Sequence, residues 1–408
     1  VKNIKLILIV AVIILSPLLF PLFKSNSYSN EKDYLSKNNK PINLKNINDF
    51  SGLEILKDDL KNKKIIFTGE DHTLDKDNLF KIKMIKYLQK KIDLKYYLDE
   101  SGYANAYFFN KYLNSGDEKI LKQAFNQVKG TAMYNTDDYN FYKSLYEFNQ
   151  TLSEDKRIEI IGIDIEHGGL SSCEYLIDIM KNKDLKTEPL DALLTNLKKY
   201  SKREIDAIQL RDINQNLIDD AKKNENEYKD IFGENIEDFK YLLNNLEAMC
   251  VSYSSEEKDW NNVRDKYIYD NFKYIDSKLK DAKYFGQWGG AHVYQDTFHE
   301  DYYDLDYEYI ASLLNKDPDY TGKILSIQYG YSSKVYMDLY SKIDKNLFND
   351  YINSGKDVLF KLNGKNSPFS KDFIYPLYYK PTHKNNQVTT DLFQYIMLIN
   401  DVNKSNSL

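Results

Sequence analysis

Cysteine is scarce in these 408 residues: Cys173 and Cys250 stand alone, 77 positions apart, with no C-x-x-C pair. That excludes zinc fingers, cysteine-ligated iron–sulfur clusters and a dithiol redox site. It leaves two readings of the pair, one disulfide or two buried thiols. No G-x-S-x-G elbow occurs, which disfavours a serine-nucleophile hydrolase. Neither H-E-x-x-H nor a phosphate-binding P-loop is present. The formal net charge is -6 and no basic stripe stands out, so nucleic acid is not expected as a partner. Histidine is also sparse, at five residues, so where the histidines fall is informative. There are no internal repeats and no long low-complexity tract.

The chain opens with Lys2 and Lys5, followed by an apolar run from Leu6 to Phe23 that only Ser16, Pro17 and Pro21 interrupt. A short basic segment before such a run reads as a signal peptide or signal anchor over residues 1–24, attaching the chain to a membrane with its body outside, or secreting it after cleavage. Residues 25–45 are polar and rich in Asn, Ser and Lys, which predicts a linker. Residues 46–408 are long enough for one large domain.

That domain alternates strands with helices. Short apolar runs at 63–68, 94–98, 158–165, 283–288, 324–331 and 358–362 predict strands. The spacing over 77–92 predicts a helix with Leu79, Ile82, Ile85, Leu88 and Ile92 inward. The alternation implies an α/β fold with a mostly parallel central sheet flanked by helices. From about 169 to 282 nearly everything reads helical, too long for a simple crossover, so a large helical insertion is expected there.

Four predicted strands run out into acids or imidazoles: Gly69-Glu70-Asp71-His72, Asp99-Glu100, Asp164 with Glu166 and His167, and Gly289-Gly290-Ala291-His292. Parallel sheets bind ligands beyond the carboxyl ends of their strands. Glu70 and His72 are two apart, so extended backbone points both the same way, and a carboxylate can orient an imidazole as a base toward water. Gly69 is expected to supply unusual dihedrals, and Asp71 to cap or face solvent. Glu100 reads as a site acid or as a carboxylate at a helix N-terminus. Asp164 and Glu166 are expected to support the site from behind, with His167 pointing away from them. Arg264 falls on the apolar stripe of Trp260, Ile268, Phe272, Ile275 and Leu279, so its charge needs a buried partner or a substrate oxygen. Asp265 is expected off that stripe.

The ordered set of motifs at 69–72, 100–113, 162–166, 263–271 and 289–293 resembles the erythromycin esterase family, which shares a superfamily with the haem-binding ChaN-like and Tiki proteins. The resemblance implies an α/β core with a cleft, and a histidine acting on water without an obligatory metal. Carried across, it implies His72 as general base, Glu70 orienting it, Glu100 as the acid of the second strand, and Arg264 and His292 stabilising an oxyanion. The esterases have two residues between the Glu and His of the first motif; here only Asp71 intervenes, a spacing similar to the ChaN and Tiki branches. The expected activity is hydrolysis of an ester, lactone or amide bond in a small-molecule or peptide substrate. The alternatives are a haem-binding surface protein and a divalent-metal-dependent peptidase. In the leading reading no cofactor is required.

Overall fold

The computed structural model describes residues 28–300, 303–332, 341–378, 381–384 and 386–408. The expected signal or anchor segment, residues 1–24, lies outside them. Among the described residues no helix is long and apolar enough to cross a membrane.

The strands are β1 (Asn39–Pro41), β2 (Ile65–Glu70), β3 (Tyr96–Gly102), β4 (Glu159–Asp164), β5 (Tyr284–Gly289), β6 (Phe298–Glu300), β7 (Leu305–Tyr307), β8 (Ile324–Tyr331), β9 (Val358–Lys361) and β10 (Tyr395–Ile399). Eight of them form one sheet in the order β1-β9-β10-β8-β2-β5-β3-β4, while β6 and β7 pair apart. From β10 to β4 all neighbours are parallel; β9 and β1 add an antiparallel margin. This is the predicted α/β architecture. Helices cover both faces, so the central strands are buried throughout and alternate residues feed different cores. Ile66 of β2 joins the larger core, with Phe80, Met84 and Tyr97. Its neighbours Ile65 and Phe67 join a second one, with Leu98, Ile268, Phe272 and Trp288.

Several local expectations change. Residues 29–41, expected within the polar linker, are structured. Ser29–Lys37 is a helix, and β1 pairs with β9. Tyr34 and Leu35 are the reason: both are buried in a third core, and Tyr34 Oη accepts a hydrogen bond from Gly364 N at 2.8 Å. Two apolar side chains anchor a segment whose composition is otherwise polar. The helix Asp75–Ile92 buries Phe80, Met84 and Tyr87 beside Ile82, Ile85 and Leu88, and leaves Leu79 39% exposed. Both cysteines are free and buried. Between β4 and β5 lie the helices Gly169–Ile179, Glu188–Ser201, Ala207–Lys223, Glu225–Phe232, Ile236–Tyr253 and Trp260–Asp276.

Among the described residues, no strand lies beside the outer edge of β4. Two asparagine side chains take that place. Asn110 donates to Ile160 O at 2.7 Å and accepts from Ile160 N at 2.9 Å. Asn149 does the same for Ile158, at 2.9 and 2.8 Å.

Candidate active site

The carboxyl ends of β4, β3, β5 and β2 are adjacent, and the candidate residues gather there. Beyond them lies a cavity of about 350 Å3 lined in part by Glu70, His72, Glu100, His167, Tyr253 and Arg264.

Glu70 is the last residue of β2. His72 Nδ1 lies 2.5 Å from Glu70 Oε1, and the ring is half exposed at the cavity. Thr73, next in the chain, takes φ 71°, turning the backbone sharply after the histidine. Gly69 is needed for close approach and has no positive φ: a Cβ there would lie 2.5 Å from Gln328 Oε1 and 2.6 Å from Val293. Asp71 neither caps nor faces solvent freely; it accepts from Ser341 N at 3.1 Å and Ser341 Oγ at 2.8 Å.

Glu100 sits where the register of β3 against β4 shifts, between Asp99 and Gly102. Such an irregularity re-aims a side chain. Glu100 reaches across β5, accepting from Gly289 N at 2.7 Å and from Arg264 Nη2 at 3.0 Å.

Arg264 is 6% exposed on the inward face of its helix. Its Nε donates to Asp164 Oδ1 at 2.9 Å, and its Nη2 donates to Asp164 Oδ2 as well as to Glu100. Its Nη1 lies 3.2 Å from His292 Nε2. A guanidinium has five N–H donors and no acceptor, so His292 Nε2 accepts and one Nη1 N–H stays uncommitted. Trp260 packs over the same guanidinium, 5.0 Å from ring centroid to Cζ.

His292 sits beside Gly289, as His72 does: a Cβ at Gly289 would lie 3.5 Å from His292 Cδ2 and 3.4 Å from His72 Nε2. The two imidazoles therefore flank one glycine. His292 does not line the cavity, however; it is 6% exposed, and its Nδ1 is 2.8 Å from Asp265 Oδ1. Asp265, expected off the buried stripe, is fully buried and also accepts from Ile310 N at 2.7 Å.

Asp164 is fully buried and holds Arg264 by both oxygens; His167 also turns to it, with Nε2 2.8 Å from Oδ2 and Nδ1 2.9 Å from Tyr253 Oη. His167 thus points toward Asp164 and lines the cavity, against expectation, because the chain leaves extended geometry after β4. Glu166 does not line the cavity. It accepts from Ala104 N at 3.0 Å, Ser172 Oγ at 3.2 Å and Asn245 Nδ2 at 3.2 Å, tying two helix starts to β4. Sequence reasoning missed Lys81, which lines the cavity, pairs with Asp138 at 3.2 Å and packs over Phe141. Its place on the helical face of Met84 and Lys81's own burial at 6% exposure would be visible only with the helix phase known.

The electrostatics follow from these contacts. Burial disfavours charge on the His72 ring, but the Glu70 and Glu100 carboxylates outweigh it and raise its pKa to about 10. Burial likewise opposes ionisation of Glu100, yet His72 and Arg264 hold it below its usual value. Burial is outweighed at Asp164 too, where Arg264 and His167 push the carboxyl far down. Glu166, with no cation hydrogen-bonded to it, is raised by burial.

These residues do not fit a metal site. Both nitrogens of His292 are engaged, one by a cationic guanidinium, and His72 Nδ1 faces Glu70. Among the described residues no group of three or more His, Cys, Asp or Glu side chains is arranged to hold a metal ion.

With this geometry in hand, sequence comparison identifies the matching family. Residues 98–293 match the erythromycin esterases. This erythromycin esterase-like segment contains Glu100, Asp164, Glu166, Arg264 and His292, and begins after Glu70 and His72. No curated protein matches the sequence. Among solved structures, a succinoglycan biosynthesis protein superposes with TM-score 0.68 at 16% identity, over 94% of this chain and 99% of the other. A Bacillus cereus protein gives 0.66 at 14%, over 92% and 98%. A mutant of the erythromycin esterase EreC in its open conformation gives 0.65 at 13%, over 90% and 98%. The erythromycin esterase-like fold therefore extends over nearly the whole chain.

Proposed function

We propose that the protein is a hydrolase that activates water against the carbonyl carbon of an ester, lactone or amide. The observation that carries this is the cavity itself: a half-exposed imidazole backed by a carboxylate stands across from a buried guanidinium with one N–H uncommitted.

In this reading the water oxygen bonds to the carbonyl carbon while its proton passes to His72 Nε2. Glu70 keeps the ring oriented through Nδ1. The free Arg264 N–H takes the charge developing on the carbonyl oxygen. As the tetrahedral adduct collapses, His72 returns the proton to the leaving oxygen or nitrogen. Glu100 and Asp164 hold the guanidinium fork. His292, which the resemblance placed at the oxyanion, instead steadies Arg264 from behind and uses Asp265 to do so.

The apolar run behind Lys2 and Lys5 supports a further part of the reading, that the domain works outside the cytoplasmic membrane. Fractionation of cells expressing the full chain tests it; recovery in the cytosol alone would refute it.

For the chemistry, the purified protein is assayed on short-chain chromogenic esters, lactones and peptides with and without chelator. Chelator-resistant turnover that His72→Ala abolishes in a folded protein is the expected result. No turnover across the panel would sink the hydrolase reading.

A further inference from the structure

One buried acid beside the proposed dyad has no part in that scheme. Asp77, in the first turn of the helix Asp75–Ile92, is 1% exposed. Tyr331 Oη donates to its Oδ2 at 2.9 Å, and the same hydroxyl accepts from Asp71 N at 3.2 Å. Asp77 Oδ1 has no donor within reach. Tyr331 thereby ties Asp77 to the amide that follows Glu70, and the two carboxyl groups lie close enough to share a hydrogen bond.

Two buried carboxylates at that range require a proton between them. Glu70 has cations about it, His72 in contact and Lys81 further off. Asp77 has a tyrosine hydroxyl and two other acids, Glu70 and Asp71. The proton therefore belongs to Asp77. We propose that Asp77 is a neutral carboxylic acid whose Oδ1–H donates to Glu70, making it the positioning residue of the Glu70–His72 dyad. The inference rests on the hydrolase reading for its purpose, though not for its chemistry. Burial and the repulsion of Glu70 push the Asp77 carboxyl well above its ordinary value, in keeping with the geometry.

The arrangement gives Glu70 two donors, Asp77 on one side and His72 Nδ1–H on the other. A carboxylate that accepts a second hydrogen bond is a weaker base toward the first. Losing the Asp77 donor would leave Glu70 freer to rotate and more attractive to the imidazole proton, so His72 would hold its charge to higher pH.

Two variants separate this from simple packing. In Asp77→Asn the amide N–H2 replaces the acid O–H as donor to Glu70, and the amide oxygen still accepts from Tyr331. In Asp77→Leu both are lost. The wild-type minus Asp77→Asn infrared difference spectrum should show the carbonyl band of one protonated buried carboxylic acid. Asp77→Asn should keep the His72 titration seen by NMR, whereas Asp77→Leu should move it upward. On a chromogenic acetate ester, Asp77→Leu should lose roughly tenfold or more in kcat and Asp77→Asn should recover most of it. Absence of that band from the difference spectrum, or an Asn variant as impaired as the Leu variant with both folded, would overturn the proposal. Infrared and NMR need no turnover. If the wild type hydrolyses nothing, the hydrolase reading fails while the status of Asp77 is still decided.

Discussion

Two of the carboxylate–imidazole pairs at the site, beside that of Asp164 and His167, are built alike and placed differently. Glu70 and His72 share one short loop at the end of β2, and the ring is half exposed to the cavity. Asp265 and His292 come from a helix and the turn after β5, and both are buried. His72 presents a free Nε2 to the cavity, whereas that of His292 accepts from Arg264. A carboxylate–imidazole pair does not by itself define a base; what the far nitrogen meets decides whether the pair moves protons or holds another residue in place.

Removing the guanidinium that His292 holds should have the largest effect. Arg264→Ala leaves Asp164 and Glu100 buried and uncompensated, and breaking a buried ionic network by one partner costs about 3–5 kcal/mol. A melting temperature close to wild type would show that the network carries little stability. Arg264→Lys lacks the fork that spans Asp164 and Glu100, so it should remain nearly inactive even where it folds.

Replacing the two histidines tests the contrast directly. His72→Ala should lower kcat/KM by roughly 10²–10⁴ with a smaller drop in melting temperature than at the buried His292, because the ring is half exposed. His292→Gln should lower both, with kcat falling by roughly 10–100-fold through a displaced Arg264. Equal activity losses, with only His72→Ala destabilising, would reverse the assignment.

The pH dependence sharpens it further. If His72 is the base, only its unprotonated form works, so kcat/KM should climb roughly tenfold per pH unit through neutrality and level off near pH 10. A profile that is flat from neutrality and falls above it would make His72 the acid. The smallest effect is on stability. The pKa of His72 is raised on folding, so its contribution is full below the unfolded value, about 6.5, and fades as pH passes 10. Thermal melts of wild type and His72→Gln should converge at high pH.

Much of this was legible before any coordinates. Ordered apolar runs ending in acids and imidazoles marked the strands and the edge of the sheet where the site lies, because a parallel sheet buried on both faces leaves little choice of pattern. Arg264 was legible because a charge on an apolar stripe demands a partner. Its neighbour Asp265 was misjudged: one residue turns a helix by about 100°, and the helix is covered on more than one side. Leu79 failed for a related reason, since the phase of the stripe shifted toward Phe80 and Met84. β1 and β10 escaped notice because two polar residues and a proline, and five apolar residues near the end of the chain, carry no period of their own. Asp77 gave no signal at all. Its significance lies in the fold bringing it against Glu70.

The two asparagines along β4 have a consequence for the whole molecule. An unpaired outer strand is a template on which another chain can grow. Here Asn110 and Asn149 occupy the hydrogen-bonding positions of Ile160 and Ile158 as a neighbouring strand would, so those two positions are closed to another chain. The cost is small, two side-chain amides on helices that are needed anyway. The gain is that at the start of β4 the backbone offers a second strand no unmet donor or acceptor.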